Sequence, residues 1–293
     1  MSERIYRRSS SSAFVFAFVA LAMLSTYAET SRANLISANS AATLFPNGTL
    51  AAWNVNSGPD NVFLANFFFR SDTVTSANGG EVNLSGLGAV TETQLGPDAV
   101  RFESSNGELA ALQTWSLTGG APGTEDSFIE SEFTIANQSG RSIPLSLYFA
   151  ADFDIAFDQA NPNDETTALN GSAVEVFDPV TRARILSQVT PTADSYQVFD
   201  GLFEVLFNFN ADIDGPTSLG NTPALGSTVF DVPGVTDAGF AFRWTLDLAP
   251  GESFTAIASN VRSAVPVPAT LGLLALGLAG LARVSRRYQQ PAA

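Results

Sequence analysis

The chain contains no cysteine, no histidine and no lysine in 293 residues. Without Cys there is no disulfide framework, no thiolate metal site and no cysteine nucleophile. Without His the commonest general base and the commonest transition-metal ligand are both missing. A zinc hydrolase and a His-dependent triad are therefore excluded. The lack of Cys does not argue against export, because disulfides are not the only way to stabilise a surface domain. Charge is also scarce: 15% of residues are charged, low for a cytosolic globular protein, while 45% are hydrophobic, enough for a sizeable core.

The charge that is present is unevenly placed. Residues 34–264 hold 27 Asp and Glu against 7 Arg, whereas the last 29 residues hold three Arg and no acid. An acidic body of this kind repels phosphate and offers no patch to displace counterions, so nucleic acid is not a partner. Two readings of the acidity stand: solubility outside the cell, and calcium binding.

The two ends carry addresses. Met1–Arg8 is basic, and residues 13–24 (AFVFAFVALAML) are an uninterrupted apolar run. Twelve residues are too few to cross a bilayer core of about 30 Å as a helix. Small residues follow at Thr26 and Ala28, and again at Ser31 and Ala33. Basic start, apolar run and small-residue exit are the parts of a secretory signal peptide, here residues 1–33, cleaved after Ala28 or Ala33. At the other end, Val265-Pro266-Val267-Pro268 precedes the apolar run 269–282, which is rich in Leu, Ala and Gly. Arg283, Arg286 and Arg287 follow. Two prolines spaced by one residue keep the approach extended. The apolar run forms a short membrane helix, and the Arg cluster stays on the cytoplasmic side. Arg283 can snorkel to lengthen the effective span. The arginines and the absence of a polar spacer argue against a lipid-anchor signal of the GPI type.

This tail, residues 265–293, resembles the PEP-CTERM sorting signal of Gram-negative bacteria that produce exopolysaccharide. The resemblance rests on Pro266, Pro268, the glycines at 272, 277 and 280, and Arg283, Arg286 and Arg287. Val267 departs from the family pattern, which places Glu between the prolines. The resemblance implies export through signal peptidase and the export machinery, anchoring in the inner membrane, and processing by an exosortase that cuts near the Pro-x-Pro motif. The mature protein would then reach the cell surface or extracellular matrix. None of this describes the body.

The body, residues 34–264, is punctuated by Gly, Pro, Asn, Asp and Ser about every ten residues. Between the marks lie short runs rich in Phe, Val, Ile, Leu and Thr. They predict strands at 61–70, 99–103, 109–117, 127–136, 143–157, 173–177, 196–199, 203–209, 239–248 and 253–259. Even spacing and clean alternation predict an all-β, antiparallel β-sandwich ectodomain in one domain. In the 240–248 run, Phe240, Phe242, Trp244, Leu246 and Leu248 share one face, and Arg243, Thr245 and Asp247 the other. Phe68 must face away from Phe67 and Phe69, toward a second layer or an exposed patch. Asn137–Gly140 and Ala249–Glu252 read as hairpin turns, the second with Pro and Gly placed for type II. Residues 213–225 read as a long loop. Short fragments around residues 133–137, 147–154 and 244–252 also resemble sandwich ectodomains found upstream of such tails, and imply no catalytic residues.

Two stretches offer oxygen ligands for calcium. One is Asp152, Asp154 and Asp158, followed by Asn163 and Asp164; the other holds Asp212 and Asp214. The second mimics part of an EF-hand loop but has Asn221 at its twelfth position and no flanking helices, so a non-helical loop is the form expected. Each stretch reads equally as a solvated acidic loop of turn formers. Trp53 and Trp115 are candidates for stacking on sugar rings, and core packing is the competing reading. Three functions follow: a non-enzymatic surface or biofilm-matrix protein, a module binding exopolysaccharide, and a glycan-active hydrolase. The last needs two carboxylates in one cleft about 5–9 Å apart.

Overall fold

Short β-branched and aromatic runs form sixteen strands among the described residues, arranged in two antiparallel sheets. The structure is a computed structural model describing residues 32–62, 64–75, 81–155, 164–198, 224–230 and 239–264. The seven-stranded sheet runs β1 (Ala33–Ser37), β2 (Ser40–Leu44), β3 (Leu50–Val55), β4 (Leu64–Ser71), β9 (Ile143–Asp152), β15 (Phe240–Leu248), β13 (Ser195–Val198). The nine-stranded sheet runs β14 (Thr228–Phe230), β10 (Glu165–Asn170), β11 (Ala173–Phe177), β12 (Ala183–Thr190), β16 (Ser253–Ala264), β8 (Ser127–Asn137), β7 (Leu109–Gly119), β6 (Ala99–Ser105), β5 (Thr91–Gly96).

Alternation sets which side chains fill the space between the sheets. In β8, Ile129, Phe133 and Ile135 are fully buried, and Glu132 between them is exposed. Phe133 stacks on Phe67 of β4 at 5.0 Å between centroids, and Phe69 lies 6.1 Å away. Trp244 of β15 meets Phe254 of β16 at 6.3 Å. These pairs join one sheet to the other, which establishes the sandwich. Each such ring removed from water contributes about 1.5–3 kcal/mol. Some polar residues on the inner faces are matched to one another. Ser127 Oγ accepts from Trp53 Nε1 at 3.0 Å, and Gln113 Nε2 donates to Ser131 Oγ and Asn66 Oδ1 at 2.9 and 3.1 Å.

Several expectations are corrected here. Asn137–Gly140 and Ala249–Glu252 do not close hairpins. Each carries the chain from one sheet to the other, β8 to β9 and β15 to β16. The second is nonetheless a type II turn: Glu252 N donates to Ala249 O at 2.9 Å, and Gly251 has φ +76°. The crossings lie side by side, because Asn137 N donates to Glu252 O and Gly251 N to Asn137 O, each at 2.9 Å. Strand β9 stops at Asp152 rather than running to residue 157. β1, β2, β3, β5, β10, β12 and β14 were not anticipated. Their Ala, Ser and Asn, or interleaved Arg and Gln, dilute the local β signal.

Phe68 faces away from Phe67 and Phe69, where it packs with Tyr148, Ala150 and Ala241 of the neighbouring strands on the outer face of the same sheet. Gly119 ends β7 where a Cβ would lie 1.9 Å from Ser37 O, so only Gly allows β1 this close. The predicted strand 203–209, the signal helix, the membrane helix and most of the 213–225 loop lie outside the described residues. Among the described residues no helix is long and apolar enough to cross a membrane.

Candidate functional site

On an antiparallel sheet with one packed face, outward residues are normally solvated. The outer face of the seven-stranded sheet departs from this over its central strands. Inward residues of β9 are Leu145, Leu147, Phe149 and Ala151, which leaves Ser146, Tyr148 and Ala150 pointing outward. Tyr148 is 1% exposed and Arg243, outward on β15, is 4% exposed. Register places Arg243 opposite Tyr148, Tyr148 opposite Phe68, and Ser146 opposite Arg70. The Arg243 guanidinium carbon lies 5.8 Å from the Tyr148 ring centroid, and its Nη2 donates to Ser146 Oγ at 3.0 Å. Arg70 Nη1 is 3.8 Å from Oε1 of the buried Glu81. Glu81 is brought there by the bridge between Val82 and Phe69.

Burial raises the Tyr148 phenol above its ordinary pKa, and the Glu81 charge raises it further; Arg243, Ser146 and Arg70 oppose the shift. The phenol therefore stays protonated well past neutrality and remains a hydrogen-bond donor. A phenol, two guanidiniums and a carboxylate converge on this sheet face; Tyr148, Arg243 and Glu81 are buried there, and Arg70 is the part-exposed member. The sequence marks Arg243 as outward but not as covered. Its meeting with Tyr148 depends on β9 pairing with β15 across about ninety residues, which no local pattern reveals.

The residues singled out from sequence fall elsewhere. Trp53 and Trp115 are both 0% exposed. Trp53 Nε1 donates to Ser127 Oγ, its ring meets Phe153 edge-on at 6.2 Å, and Trp115 Nε1 donates to Gly48 O at 2.7 Å. Neither can stack on a sugar, and the core reading replaces that expectation. Asp152, Asp154 and Asp164 are buried, and Asp164 Oδ2 accepts from Ile155 N at 2.7 Å. No group of three or more Asp or Glu able to hold a metal ion occurs among the described residues. Asp158, Asn163, Asp212, Asp214 and the tail residues Pro266, Val267, Pro268, Arg283, Arg286 and Arg287 lie outside the described residues.

The strand ends near Ala264 are tied by a second polar network. Arg262, inward on β16 and 6% exposed, donates from Nε to Asn61 Oδ1 at 3.0 Å and from Nη1 to the Glu125 carboxylate. Asn61 Nδ2 donates to Trp53 O at 2.7 Å. Asn39 Nδ2 donates to Thr124 O at 2.9 Å, so the β1–β2 turn and the β7–β8 loop are held together. Burial pushes the Asp60 carboxyl up, against three backbone N–H groups from Trp53, Asn61 and Val62 that pull it down. This network closes the end of the sandwich and has the character of a structural plug.

Comparison with known proteins separates the tail from the body. Residues 264–287 match the model of the PEP-CTERM protein-sorting motif, so the chain is a PEP-CTERM sorting-domain protein. That motif implies export and processing by an exosortase. No curated protein matches the chain. The body is similar in fold to solved structures of sugar-epimerase type. A protein of Escherichia coli K12 assigned by name to the aldose 1-epimerases aligns at TM-score 0.53 and 12% identity, over 80% of this chain and 99% of the other. A GalM/aldose epimerase homologue from C. elegans aligns at TM-score 0.51 and 8% identity, over 81% and 100%. A galactose mutarotase related enzyme from Lactobacillus acidophilus aligns at TM-score 0.50 and 8% identity, over 80% and 98%. At these identities the likeness is one of fold.

Proposed function

We propose that this chain is a non-enzymatic surface or extracellular-matrix protein of a Gram-negative bacterium. Its N-terminal signal takes it to signal peptidase and the export machinery, and residues 269–282 hold the precursor in the inner membrane. An exosortase then cuts near Pro266–Pro268 and releases or transfers the acidic β-sandwich. The sorting-motif match over residues 264–287 carries this reading. The acidic body, with no His and no Cys for catalysis, supports a structural role. The test is the mass of the mature protein recovered from envelope and medium of its own host. A C-terminus near Pro268, lost when Arg283, Arg286 and Arg287 are replaced by Ala, is the expected result. A C-terminus at Ala293 in the unaltered protein would overturn processing, with Val267 as the first suspect.

A second reading has its own observation behind it. The sugar-epimerase-like fold favours a body that recognises carbohydrate, such as the exopolysaccharide, with the part-exposed Arg70 as the polar contact this sheet face offers. On this reading host exopolysaccharide raises the Tm of the protein, and Arg70→Gln reduces the rise while leaving the strand content unchanged. An identical Tm with and without polysaccharide removes the reading and leaves the sorting proposal standing.

A further inference from the structure

We infer that the tip of the β11–β12 hairpin, with Val180 at its apex, rests on the anionic lipid surface while the sorting tail is in the membrane. The inference depends on the membrane reading of the tail given above. It adds which end of the body, and which residues, meet the lipid.

The geometry starts from β16. This strand is interior to its sheet, bonded to β8 on one side and β12 on the other. Its last residue, Ala264, pairs with Ala183, and the sorting-motif match begins at residue 264. The described strand therefore reaches the first residue of the motif. Four residues separate Ala264 from the start of the apolar run at Ala269. Fully extended, the five steps reach at most about 18 Å. The end of the sandwich that holds Ala264 must lie within that distance of the membrane face.

Beside Ala264 the chain builds an apolar knob. Ala183 is preceded by Pro179, Val180, Thr181 and Arg182, all exposed. At 78% exposure Val180 is the most exposed large hydrophobic residue among those described. The turn that carries it is rigidly made. Asp178, 3% exposed, accepts from Val180 N at 2.7 Å, from Thr181 N at 3.1 Å and from Thr181 Oγ1. Arg182 N donates to Asp178 O at 2.8 Å, and Asp178 N donates to Ala183 O at 3.0 Å. Val180 is thus held out into solvent by a buried carboxylate, against the tendency of an apolar group to fold back.

At the knob one cation, Arg182, is exposed beside Val180. The body has only 7 Arg among 27 acids, and Arg182 and Arg184 both flank Ala183, the strand partner of Ala264. The acids nearest the knob are engaged: Glu175 pairs with Arg184 at 3.3 Å, Asp178 is held in the turn, and Glu125 pairs with Arg262. Asp60 and Asp126 belong to the neighbouring loops of the same end, so the contact is the hairpin tip rather than the whole end. An apolar residue beside a cationic one, placed at headgroup level by a short tether, is the chemistry of an interfacial contact.

The absence of Cys makes the test direct. Val180→Cys and Gly140→Cys each give one labelling site in the full-length precursor. Gly140 lies in the β8–β9 crossing at the opposite end, where an added Cβ meets nothing within 4 Å. Each labelled precursor is incorporated into vesicles of phosphatidylethanolamine and phosphatidylglycerol carrying a headgroup nitroxide quencher. The expected result is flotation of both, with severalfold stronger quenching at position 180 than at position 140. Flotation with equal quenching, or with stronger quenching at 140, overturns the inference and leaves the membrane reading intact. Failure to float overturns the membrane reading and the inference together.

Discussion

Replacing Asn137 by Ala is expected to cost about 2–4 kcal/mol, and replacing it by Asp to cost more at neutral pH. Asn137 is 1% exposed and stands where both sheet crossings meet. Its Nδ2 donates to Arg141 O at 2.6 Å and to Leu248 O at 2.8 Å, and its Oδ1 accepts from Ser139 N at 2.8 Å and Ser139 Oγ at 2.7 Å. One side chain thus ties the β8–β9 crossing to the end of β15. Ala removes all four bonds and leaves buried backbone groups without these partners. For a body of this size the loss corresponds to a fall in Tm of about 4–16 °C. Asp keeps the acceptor but turns a carboxylate oxygen toward two carbonyl oxygens. The charged form is then disfavoured in the folded state, so the folded pKa lies above the unfolded one. Stability of the Asp variant is greatest below the unfolded carboxyl pKa and is lost as pH rises through the folded value. Thermal unfolding at neutral and mildly acidic pH reads both effects. An Ala variant as stable as the parent, or an Asp variant more stable than the Ala variant at neutral pH, would refute the pinning role.

The second large effect is at Phe133. Phe133→Ala is expected to destabilise by about 3–5 kcal/mol, and Phe133→Leu by distinctly less. The ring is stacked on Phe67 at an interplanar angle of 20° and tilted 38° against Phe69, so it fills the gap between the two sheets at their centre. Rigid ladders on both sides, β16 and β7 flanking β8, prevent the sheets from collapsing into the void. Urea unfolding measures the change. A loss under about 1 kcal/mol in Phe133→Ala would mean that the two sheets are not held by this contact.

Much of the architecture was legible because strand alternation is local. The faces of residues 129–135 and 240–248 follow from a two-residue period that needs no knowledge of the rest of the chain. Strand order is not local. Asn137–Gly140 has turn chemistry, yet turn chemistry does not say whether the next strand joins the same sheet. The Ala- and Ser-rich strands β1–β3 stayed hidden because small residues carry little β preference and gain their order from the ladder itself. Trp53 and Trp115 show the same limit. Each indole N–H finds a partner distant in sequence, Ser127 and Gly48, and only that partner allows full burial.

By itself the sequence determined where this protein goes, that it is built of strands, and which chemistries it lacks. Those properties live in contiguous segments: an apolar run beside Arg, an alternating run between turns, a missing residue type. Tertiary structure decided the rest. It assigned each strand to a sheet, buried both tryptophans, covered Arg243 with Tyr148, and set Val180 beside the strand that leads into the tail. These depend on pairings between residues tens to more than two hundred positions apart, such as Asn61 with Arg262. Such pairings are selected by the packing of the whole chain, since no single segment holds the information that chooses among them.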